Sequence, residues 1–340
     1  MSRDHRPGRA GRVLLVLLLA GLLLPAVGLT VVRLLESERG TLVRLVSFTP
    51  LALPAYAVGG LVLAVVVVRG VLGARRAGRR RPWVAATALA VTVAGTVLHG
   101  WWLAPSFSGG PPVPDGERLT VMTSNLLEGE GDGLALVREA SAADVDVLVL
   151  TEVTAPVLEQ MDAAGLDDLL PHRIGEARPA GLTDGTMLLS REPLGEPERL
   201  PTDLQSWAVE VGEGDDALTV LAVHPVAPLS PGLWRVEHAR ILEAAQRRGA
   251  DLVVGDFNAT LDHRPMQALV EAGWRSAAEE ADAGWQPTWP ANGLFGWVPA
   301  PALIQIDHVM TGPDLGGLAV RTVDLEGTDH RAVVAELARR

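Results

Sequence analysis

Long apolar stretches alternate with short polar segments in the first hundred residues of the chain. Residues 13–32, 46–68 and 83–104 contain no Asp, Glu, Lys or Arg and are rich in Leu, Val and Ala. At about 1.5 Å per residue, each stretch is long enough to cross the hydrocarbon core of a bilayer as a helix. The pattern therefore predicts three transmembrane helices within a membrane anchor over residues 1–104.

The charges that flank these stretches predict an orientation. Residues 69–81 carry six Arg and no acid, whereas residues 33–44 carry three Arg together with Glu36 and Glu38. Because Arg-rich loops remain in the cytoplasm, we expect the N-terminus inside and the region after the third helix outside. A cleaved signal peptide is the alternative for the first stretch, but its length, Pro25 and the lack of a small-residue cleavage site disfavour cleavage.

The pattern changes after residue 104. Residues 105–116 are rich in Gly and Pro and are predicted to be a linker. Residues 117–340 then form a domain in which helical patterns cover residues 134–142 and 233–248. Short apolar runs typical of buried strands occupy residues 120–127, 145–153, 218–225, 251–258, 305–310 and 327–333. We therefore expect an α/β or α plus β domain with its sheets covered by helices.

Polar side chains accompany each of these six runs at the point where the strand leaves the core. They are Asn125, Glu152, His224, Asp256, Asn258, Asp307, Asp329 and His330. We expect them to gather at one rim of the domain. Carboxylates, amides and imidazoles, without a single cysteine in the chain, suit a hard cation such as Mg²⁺ and a phosphate ester.

Charge separates the two parts of the chain. The first 104 residues hold 13 Arg and three acids, which leaves 16 basic and 38 acidic groups, a net charge of about −22, in residues 105–340. A domain this acidic is a poor non-specific binder of nucleic acid, because affinity for the phosphate backbone comes mainly from Lys and Arg. The absence of cysteine excludes disulfides, so the domain must be stabilised by its core.

The ordered segments SNLL, LTEV, AVHP, GDFN, IDHV and TDHRAVV resemble the endonuclease/exonuclease/phosphatase superfamily, which includes deoxyribonuclease I. The resemblance covers roughly residues 119–337. It implies a four-layer α/β/β/α sandwich with an active site where the two sheets open, preceded here by the three transmembrane helices. GDFN alone is also typical of a turn, and Leu127 and Ala332 depart from residues that are usual in the family.

The resemblance also implies residue roles. Glu152 and Asp329 resemble metal-binding carboxylates and Asn125 the amide that helps hold the metal, with Mg²⁺ as the expected ion and Mn²⁺ as its substitute. Asp256 resembles the group that orients or deprotonates the attacking water, and Asn258 faces the phosphate. His330 resembles the histidine that contacts the scissile phosphate, with Asp307 keeping it protonated.

Two features leave alternatives open. His224 is expected to be a hydrogen-bond donor or general acid, and a buried structural histidine is the competing interpretation. Trp285, Trp289 and Trp297 form an aromatic segment that either stacks on a base or lipid headgroup or covers the core.

We therefore expect a membrane-anchored, extracytoplasmic, divalent-metal-dependent phosphoesterase. It would hydrolyse a phosphate mono- or diester with activated water, and its substrate would be a small molecule, a lipid-linked ester or a nucleic acid. One alternative is an extracytoplasmic endo- or exonuclease acting on DNA or RNA. An alternative of another class is a catalytically inactive binding or sensor domain on the same fold.

Overall fold

The computed structural model describes residues 9–35, 39–77, 82–110, 116–293 and 298–340. The chain divides into two compact units, one formed by Met1–Ser37 with Phe48–Ala104 and the other by Glu38–Ser47 with Pro105–Arg340. The first helices in chain order are α1 (Arg9–Leu35), α2 (Gly40–Val46), α3 (Ala52–Ala77) and α4 (Trp83–Leu103). Helices α1, α3 and α4 belong to the first unit and α2 to the second.

The first unit contains the three apolar helices that the sequence predicts. By length and composition, Arg9–Leu35, Thr49–Gly73 and Trp83–Phe107 can each cross a membrane. A polar contact connects them, because Thr30 Oγ1 lies 2.8 Å from the Tyr56 hydroxyl and 2.9 Å from His99 Nε2. One hydroxyl thus joins all three helices.

The second span starts later than the apolar pattern indicates. Pro50 opens a short helical turn at residues 49–51, where a residue without an amide N–H fits the start of a helix. Residues 40–46 instead form the separate helix α2, in which Val43 and Val46 are buried. Helix α2, which lies between the first two apolar stretches in the sequence, therefore belongs to the second unit.

In the part of the chain that the structure describes, the second unit contains twelve strands and six further α-helices. The strands are β1 (Arg118–Asn125), β2 (Val147–Thr151), β3 (His172–Glu176), β4 (Thr186–Ser190), β5 (Glu198–Arg199), β6 (Trp207–Val211), β7 (Leu218–Val223), β8 (Leu252–Asp256), β9 (Arg275–Ser276), β10 (Asp307–Thr311), β11 (Leu315–Asp324) and β12 (Arg331–Arg339). The helices are α5 (Gly133–Ala142), α6 (Ala155–Ala163), α7 (Leu166–Leu169), α8 (Pro231–Arg248), α9 (Arg264–Glu271) and α10 (Ala277–Glu280).

These strands form two six-stranded sheets with the orders β11-β12-β1-β2-β4-β3 and β5-β6-β7-β8-β10-β9. The alternation along β2 shows how the layers form: Leu148 and Leu150 pack in the cluster with α5 and α6, whereas Val147 and Val149 pack between the sheets. A third apolar cluster packs α8 and α9 on the second sheet. The predicted four-layer α/β/β/α sandwich is confirmed.

Helix ends follow their local sequence. The carboxylate of Asp132 accepts the amide of Ala135 at 2.9 Å and caps α5. Helix α8 begins at Pro231 and ends at Arg248, and Gly249 after it has the left-handed conformation that favours glycine. The two helices predicted at residues 134–142 and 233–248 are thus confirmed within a residue or two.

Candidate functional site

Strand ends bring the predicted side chains to one rim. Asn125 is the last residue of β1 and Glu152 follows β2, and these two strands are parallel neighbours with Asn125 opposite Thr151. In the second sheet, His224 follows β7 and Asp256 ends the parallel strand β8. The carboxyl ends of parallel neighbours meet at one edge, so each sheet contributes two polar groups there.

The remaining residues reach the same rim from strand starts. Asp307 is the first residue of β10 and lies opposite Asp256 in an antiparallel pair. Asp329 and His330 directly precede β12, which is antiparallel to β1. An antiparallel strand begins at the edge of the sheet where its neighbour ends. Asp307, Asp329 and His330 therefore lie at the same rim as Asn125 and Asp256, although they stand at the start of a strand and not at its end.

An amide joins the two sheets at the site. The side-chain nitrogen of Asn125 donates to Glu152 Oε1 at 3.1 Å and to Asp256 Oδ2 at 3.0 Å. Its oxygen accepts the amide of Leu127 at 2.9 Å. Asn125 therefore orients two carboxylates from different sheets, and its role as a metal-holding group stays a prediction.

A buried carboxylate and imidazole form the second part of the site. Asp307 Oδ2 lies 2.8 Å from His330 Nδ1, and both residues are buried. Burial alone would lower the pKa of His330, but the carboxylates of Asp307, Asp256 and Asp329 outweigh it and raise that pKa to about 10. His330 is thus a cation at neutral pH, with Nε2 3.9 Å from Asp256 Oδ2 and 3.8 Å from Asp329 Oδ1.

His224, in contrast to His330, is uncharged at neutral pH. Its Nε2 lies 3.7 Å from Asp256 Oδ2 and 4.0 Å from Glu152 Oε1, and its backbone amide donates to Ser206 Oγ at 3.0 Å. Burial, which the nearby Asp256 only partly offsets, lowers the pKa of His224 to about 4. At neutral pH this histidine is uncharged, which suits a hydrogen-bond donor better than a general acid.

The backbone at the site is strained. Glu152 and Asn258 have φ values of 54° and 49°, in the left-handed region that costs most residues roughly 1–2 kcal/mol. Gly255 has a φ of 142°, and a Cβ there would lie 2.1 Å from the Val223 carbonyl oxygen. Glycine in the GDFN segment is therefore required for the close approach of β8 to β7, beside Asp256.

Asn258 contacts the loop that follows His224. Its side-chain nitrogen donates to the Pro225 carbonyl at 3.1 Å, and its backbone amide donates to Asp256 Oδ1 at 2.7 Å. The second contact and the Asn125 amide occupy both oxygens of Asp256. Asp256 is nevertheless harder to ionise than usual, because burial and the Asp307 carboxylate raise its pKa.

The carboxylates differ in access to a cation. Glu152 and Asp329 have side-chain exposures of 15% and 22%, whereas Asp256 and Asp307 have 2% and 0%. Burial also raises the pKa of Glu152. Asp329 Oδ1 is buried without a hydrogen-bond partner among the described residues, an orphaned oxygen that a cation would satisfy. This donor set fits Mg²⁺ or Mn²⁺.

A second group of metal-type ligands fits less well. Ligand atoms of Asp256, Asp307 and His330 lie within 4.8 Å of one another. However, a metal needs a neutral imidazole, and the paired carboxylates keep His330 protonated. We therefore consider Glu152 and Asp329 the better candidates for holding a cation.

Sequence reasoning missed two side chains that support the site, Thr328 and Thr288, and the role of a third, Trp289. Thr328 Oγ1 donates to the Asn125 carbonyl at 2.8 Å and accepts the His330 amide at 3.1 Å. Thr288 Oγ1 accepts the Asp307 amide at 3.3 Å. Trp289 Nε1 donates to Asp329 Oδ2 at 2.9 Å. Thr328 directly precedes Asp329 and His330, and Trp289 belongs to the aromatic segment, but neither position predicts the contact that the structure shows.

The aromatic segment is thus resolved in part. Trp289 is half-buried and holds a carboxylate, a role outside both interpretations offered by the sequence. Trp285 is 37% exposed. Trp297 lies outside the described residues.

A model of the endonuclease/exonuclease/phosphatase family matches residues 122–330, which is more than half of the chain and includes all eight predicted side chains. The chain belongs to this family. The resemblance seen in the six motifs is thereby confirmed, and with it a fold that supports phosphoesterase and nuclease chemistry in general. No curated protein matches the chain.

Solved structures agree with the family fold. The endonuclease/exonuclease/phosphatase from Beutenbergia cavernae is 20% identical, with a TM-score of 0.50 over 65% of this chain and 72% of that chain. D. rerio TDP2 complexed with single strand DNA product is 13% identical, with a TM-score of 0.54 over 65% and 99%. A functionally unknown Enterococcus faecalis protein is 16% identical, with a TM-score of 0.51 over 65% and 100%. At these identities the similarity concerns the fold alone.

Proposed function

We propose that the protein is a membrane-anchored, extracytoplasmic phosphoesterase that hydrolyses a phosphate mono- or diester with water and a divalent cation. The observation that carries the proposal is the convergence of both sheets on one charge pattern. Carboxylates of Asp256, Asp307 and Asp329 lie within 4.0 Å of the His330 imidazolium, and the Asn125 amide links Glu152 to Asp256. Such a pattern supplies both a cation site and a positive donor for a phosphoryl group.

His330 is the group that stabilises negative charge on the substrate. Asp307 holds Nδ1, so the proton on Nε2 points away from Asp307 and is available to a phosphate oxygen. A preorganised cationic donor in a buried site stabilises the pentacovalent transition state more than the ground state, because charge increases on the equatorial oxygens.

Asp256 orients the attacking water or accepts its proton, and Asn258 contacts the phosphate. The raised pKa of Asp256 makes this carboxylate a stronger base than an exposed aspartate. Neutral His224 lies close enough to Asp256 to exchange a hydrogen bond with the same water or with the leaving oxygen.

Glu152 and Asp329 would hold Mg²⁺ or Mn²⁺, with Asn125 orienting Glu152. When bound, this cation supplies Lewis-acid polarisation of the phosphate and lowers the pKa of a bound water. Trp289 would keep the Asp329 carboxylate in place from behind, as outer partners of metal ligands commonly do.

Charge favours a small or lipid-linked ester over nucleic acid. The domain has a net charge of about −22 and no Lys, so it lacks the basic surface that attracts a phosphate backbone. Nuclease activity is the second candidate, because D. rerio TDP2, which shares the fold, has been captured with a single strand DNA product. An inactive sensor is disfavoured, because each predicted polar position is occupied by a functional group.

The extracytoplasmic location is supported by two independent features. The Arg-rich segment at residues 69–81 favours the cytoplasm for the connection between the second and third spans. Helix α2, from the connection between the first and second spans, belongs to the same unit as the catalytic domain. The second and third spans lie between α2 and the catalytic domain. Because two crossings return the chain to the same side of the membrane, α2 and the catalytic domain can both lie outside.

Full-length protein in nanodiscs tests the activity. We expect hydrolysis of at least one of p-nitrophenyl phosphate, bis(p-nitrophenyl) phosphate, a phospholipid or single-stranded DNA with Mg²⁺ or Mn²⁺, and loss of hydrolysis with a chelator. Turnover that a chelator leaves unchanged, or none on any of these esters, would contradict the proposal. Fusion of alkaline phosphatase to the C-terminus should give phosphatase activity in intact cells, and an active cytoplasm-only reporter there would reverse the topology.

A further inference from the structure

Buried ring nitrogens hold the back of the loop formed by residues 256–260, whose front carries Asp256 and Asn258. The rings lie on α8, on β10 and beside α9, and we call them the ring cluster: Trp234, His238, His263 and His308. Their contacts are His238 Nε2 to the Phe257 carbonyl at 3.0 Å, Trp234 Nε1 to the Asn258 carbonyl at 3.1 Å, His308 Nε2 to the Ala259 carbonyl at 2.9 Å, and the Thr260 amide to His263 Nδ1 at 2.9 Å. Four consecutive residues of one loop are thus fixed by four rings.

His263 differs from the other rings because its second nitrogen reaches another part of the chain. Since Nδ1 accepts the Thr260 amide, the ring proton lies on Nε2. Nε2 then donates to the Val43 carbonyl at 3.0 Å. Val43 lies in α2, more than two hundred residues earlier and between the first two membrane-type helices. One neutral imidazole therefore connects α2 to the loop of residues 256–260.

Helix α2 is packed as part of the domain core. The Val43 side chain is 4% exposed and belongs to the same apolar cluster as Trp234, Phe257 and Ala259. The ring of His263 contacts that of Trp234 edge-on, with centroids 5.3 Å apart. The opposite face of α2 is exposed at Thr41. This short helix thus has one face buried directly behind the loop and one face outside.

From these contacts we infer that α2 is a working part of the catalytic domain and that His263 is a positioning residue through which α2 sets the geometry of the loop bearing Asp256 and Asn258. The expected effect on turnover rests on the proposed function. The expected effect on the loop does not, because the mobility of the loop can be measured without substrate. A fragment that starts at residue 105 would lack this support.

The expected effect is on turnover more than on substrate binding. Releasing α2 removes the partner of His263 Nε2 and uncovers apolar surface behind the loop, so Asp256 and Asn258 lose a fixed position relative to the rest of the site. A displacement of about 1 Å at reacting groups can reduce a rate about a hundredfold. Glu152 and Asp329 lie on other loops, so cation binding should change much less.

Three variants of the full-length protein test the inference. Val43→Asp places a charge in the core contact, and Thr41→Asp places the same charge on the exposed face of the same helix as a matched control. His263→Asn keeps an acceptor where Nδ1 lies and removes the donor to Val43. Val43→Ala, which only shortens the side chain, serves if Val43→Asp does not fold.

Hydrogen exchange of residues 256–263 gives the readout that needs no substrate. We expect faster exchange in Val43→Asp and His263→Asn and wild-type exchange in Thr41→Asp. With bis(p-nitrophenyl) phosphate, kcat should fall about ten- to a hundredfold at nearly constant KM. The double variant Val43→Asp, His263→Asn should be little worse than the more affected single variant, because both remove one connection.

Unchanged exchange of residues 256–263 in Val43→Asp and in His263→Asn would overturn the inference. Additive losses of kcat in the double variant would also overturn it. A merely structural role would lower thermal stability but leave kcat per folded molecule at its wild-type value, which also overturns it. If no form hydrolyses any ester while exchange changes as expected, the proposed function fails and the structural connection stands.

Discussion

Histidines on the two sides of the loop formed by residues 256–260 differ in charge: His330 in front is a cation, and His238, His263 and His308 behind are neutral. In front, carboxylates raise the pKa of His330 to about 10. Behind, burial lowers the pKa of His238 to about 3 and that of His263 and His308 to about 4. A directly bonded carboxylate makes the difference: Asp307 Oδ2 lies 2.8 Å from His330 Nδ1, whereas the rings behind the loop face backbone carbonyls and apolar side chains. His224 in front has no carboxylate closer than 3.7 Å, and burial keeps it neutral as well.

Histidines with a catalytic role and histidines with a structural role therefore lie on opposite sides of one short loop. A charged imidazole beside carboxylates can bind a phosphate and stabilise developing charge. Neutral rings with one donor aimed at a carbonyl cannot do so, but they fix the backbone that carries the reactive groups. The identity of a residue therefore predicts its role poorly here, and its hydrogen-bond partners predict it well.

The largest expected effect comes from Glu152→Gln at the front. The variant exchanges a carboxylate for a neutral group of equal size, so the cation loses a ligand while the fold is kept. Turnover at limiting Mg²⁺ should fall by about 10² or more. Steady-state kinetics check this, with Glu159→Gln on the exposed side of α6 as the matched control. Wild-type turnover in Glu152→Gln would remove this residue from the site.

The dyad of Asp307 and His330 should show the next largest effect. Loss of the carboxylate in Asp307→Asn lowers the pKa of His330, since an anionic neighbour favours the charged ring, and the alkaline limb of the rate profile moves to lower pH. His330→Ala should cost about 10² in kcat, and the double variant should be little worse. Fully additive losses would mean that the two residues act separately, and His224 would become the better candidate for the catalytic imidazole.

A smaller effect is expected from Trp289→Phe. The substitution keeps an aromatic ring and removes the donor to Asp329, so the carboxylate is less well oriented. Loss of an outer partner of a metal ligand typically costs about tenfold or more in metal affinity. Calorimetric titration with Mn²⁺ measures this directly, and Trp285→Phe in the same segment is the control. Equal affinity in the two variants would assign Trp289 to packing.

The rings behind the loop predict a loss of stability in acid. Their folded pKa values lie below the ordinary value of 6.5, so the unfolded chain takes up protons that the folded protein cannot. The contribution of these neutral rings to folding stability is complete above about pH 6.5. It is lost as the pH falls toward about 4 for His263 and His308 and about 3 for His238, at up to about 1.4 kcal/mol per pH unit for each ring.

His238→Gln sharpens this test, because glutamine retains a side-chain donor for the Phe257 carbonyl but does not titrate. Thermal unfolding of full-length protein between about pH 4 and 7 should show a shallower acid slope for the variant than for wild type. An identical slope would mean that the buried rings do not control acid stability.

The sequence predicts the front of the site far better than its support. Asn125, Glu152 and Asp256 follow apolar strands, and parallel neighbours bring such ends together, so the rim could be expected from pattern alone. Trp289 and His263 have no such signal, because their partners, Asp329 and Val43, are distant in the chain. The sequence pattern places residues 40–46 in the anchor region for the same reason, since only tertiary packing brings Val43 into the domain core.

The contrast between the two sides of the loop is tested most directly by the protonation of the histidine rings themselves. Ring-nitrogen NMR shifts of histidine-labelled, full-length protein report each charge state, and single substitutions assign the signals. We predict that His330 is a cation and that His238, His263 and His308 are neutral at about pH 7, well between their respective pKa values. A neutral His330 or a charged ring behind the loop at that pH would contradict the account.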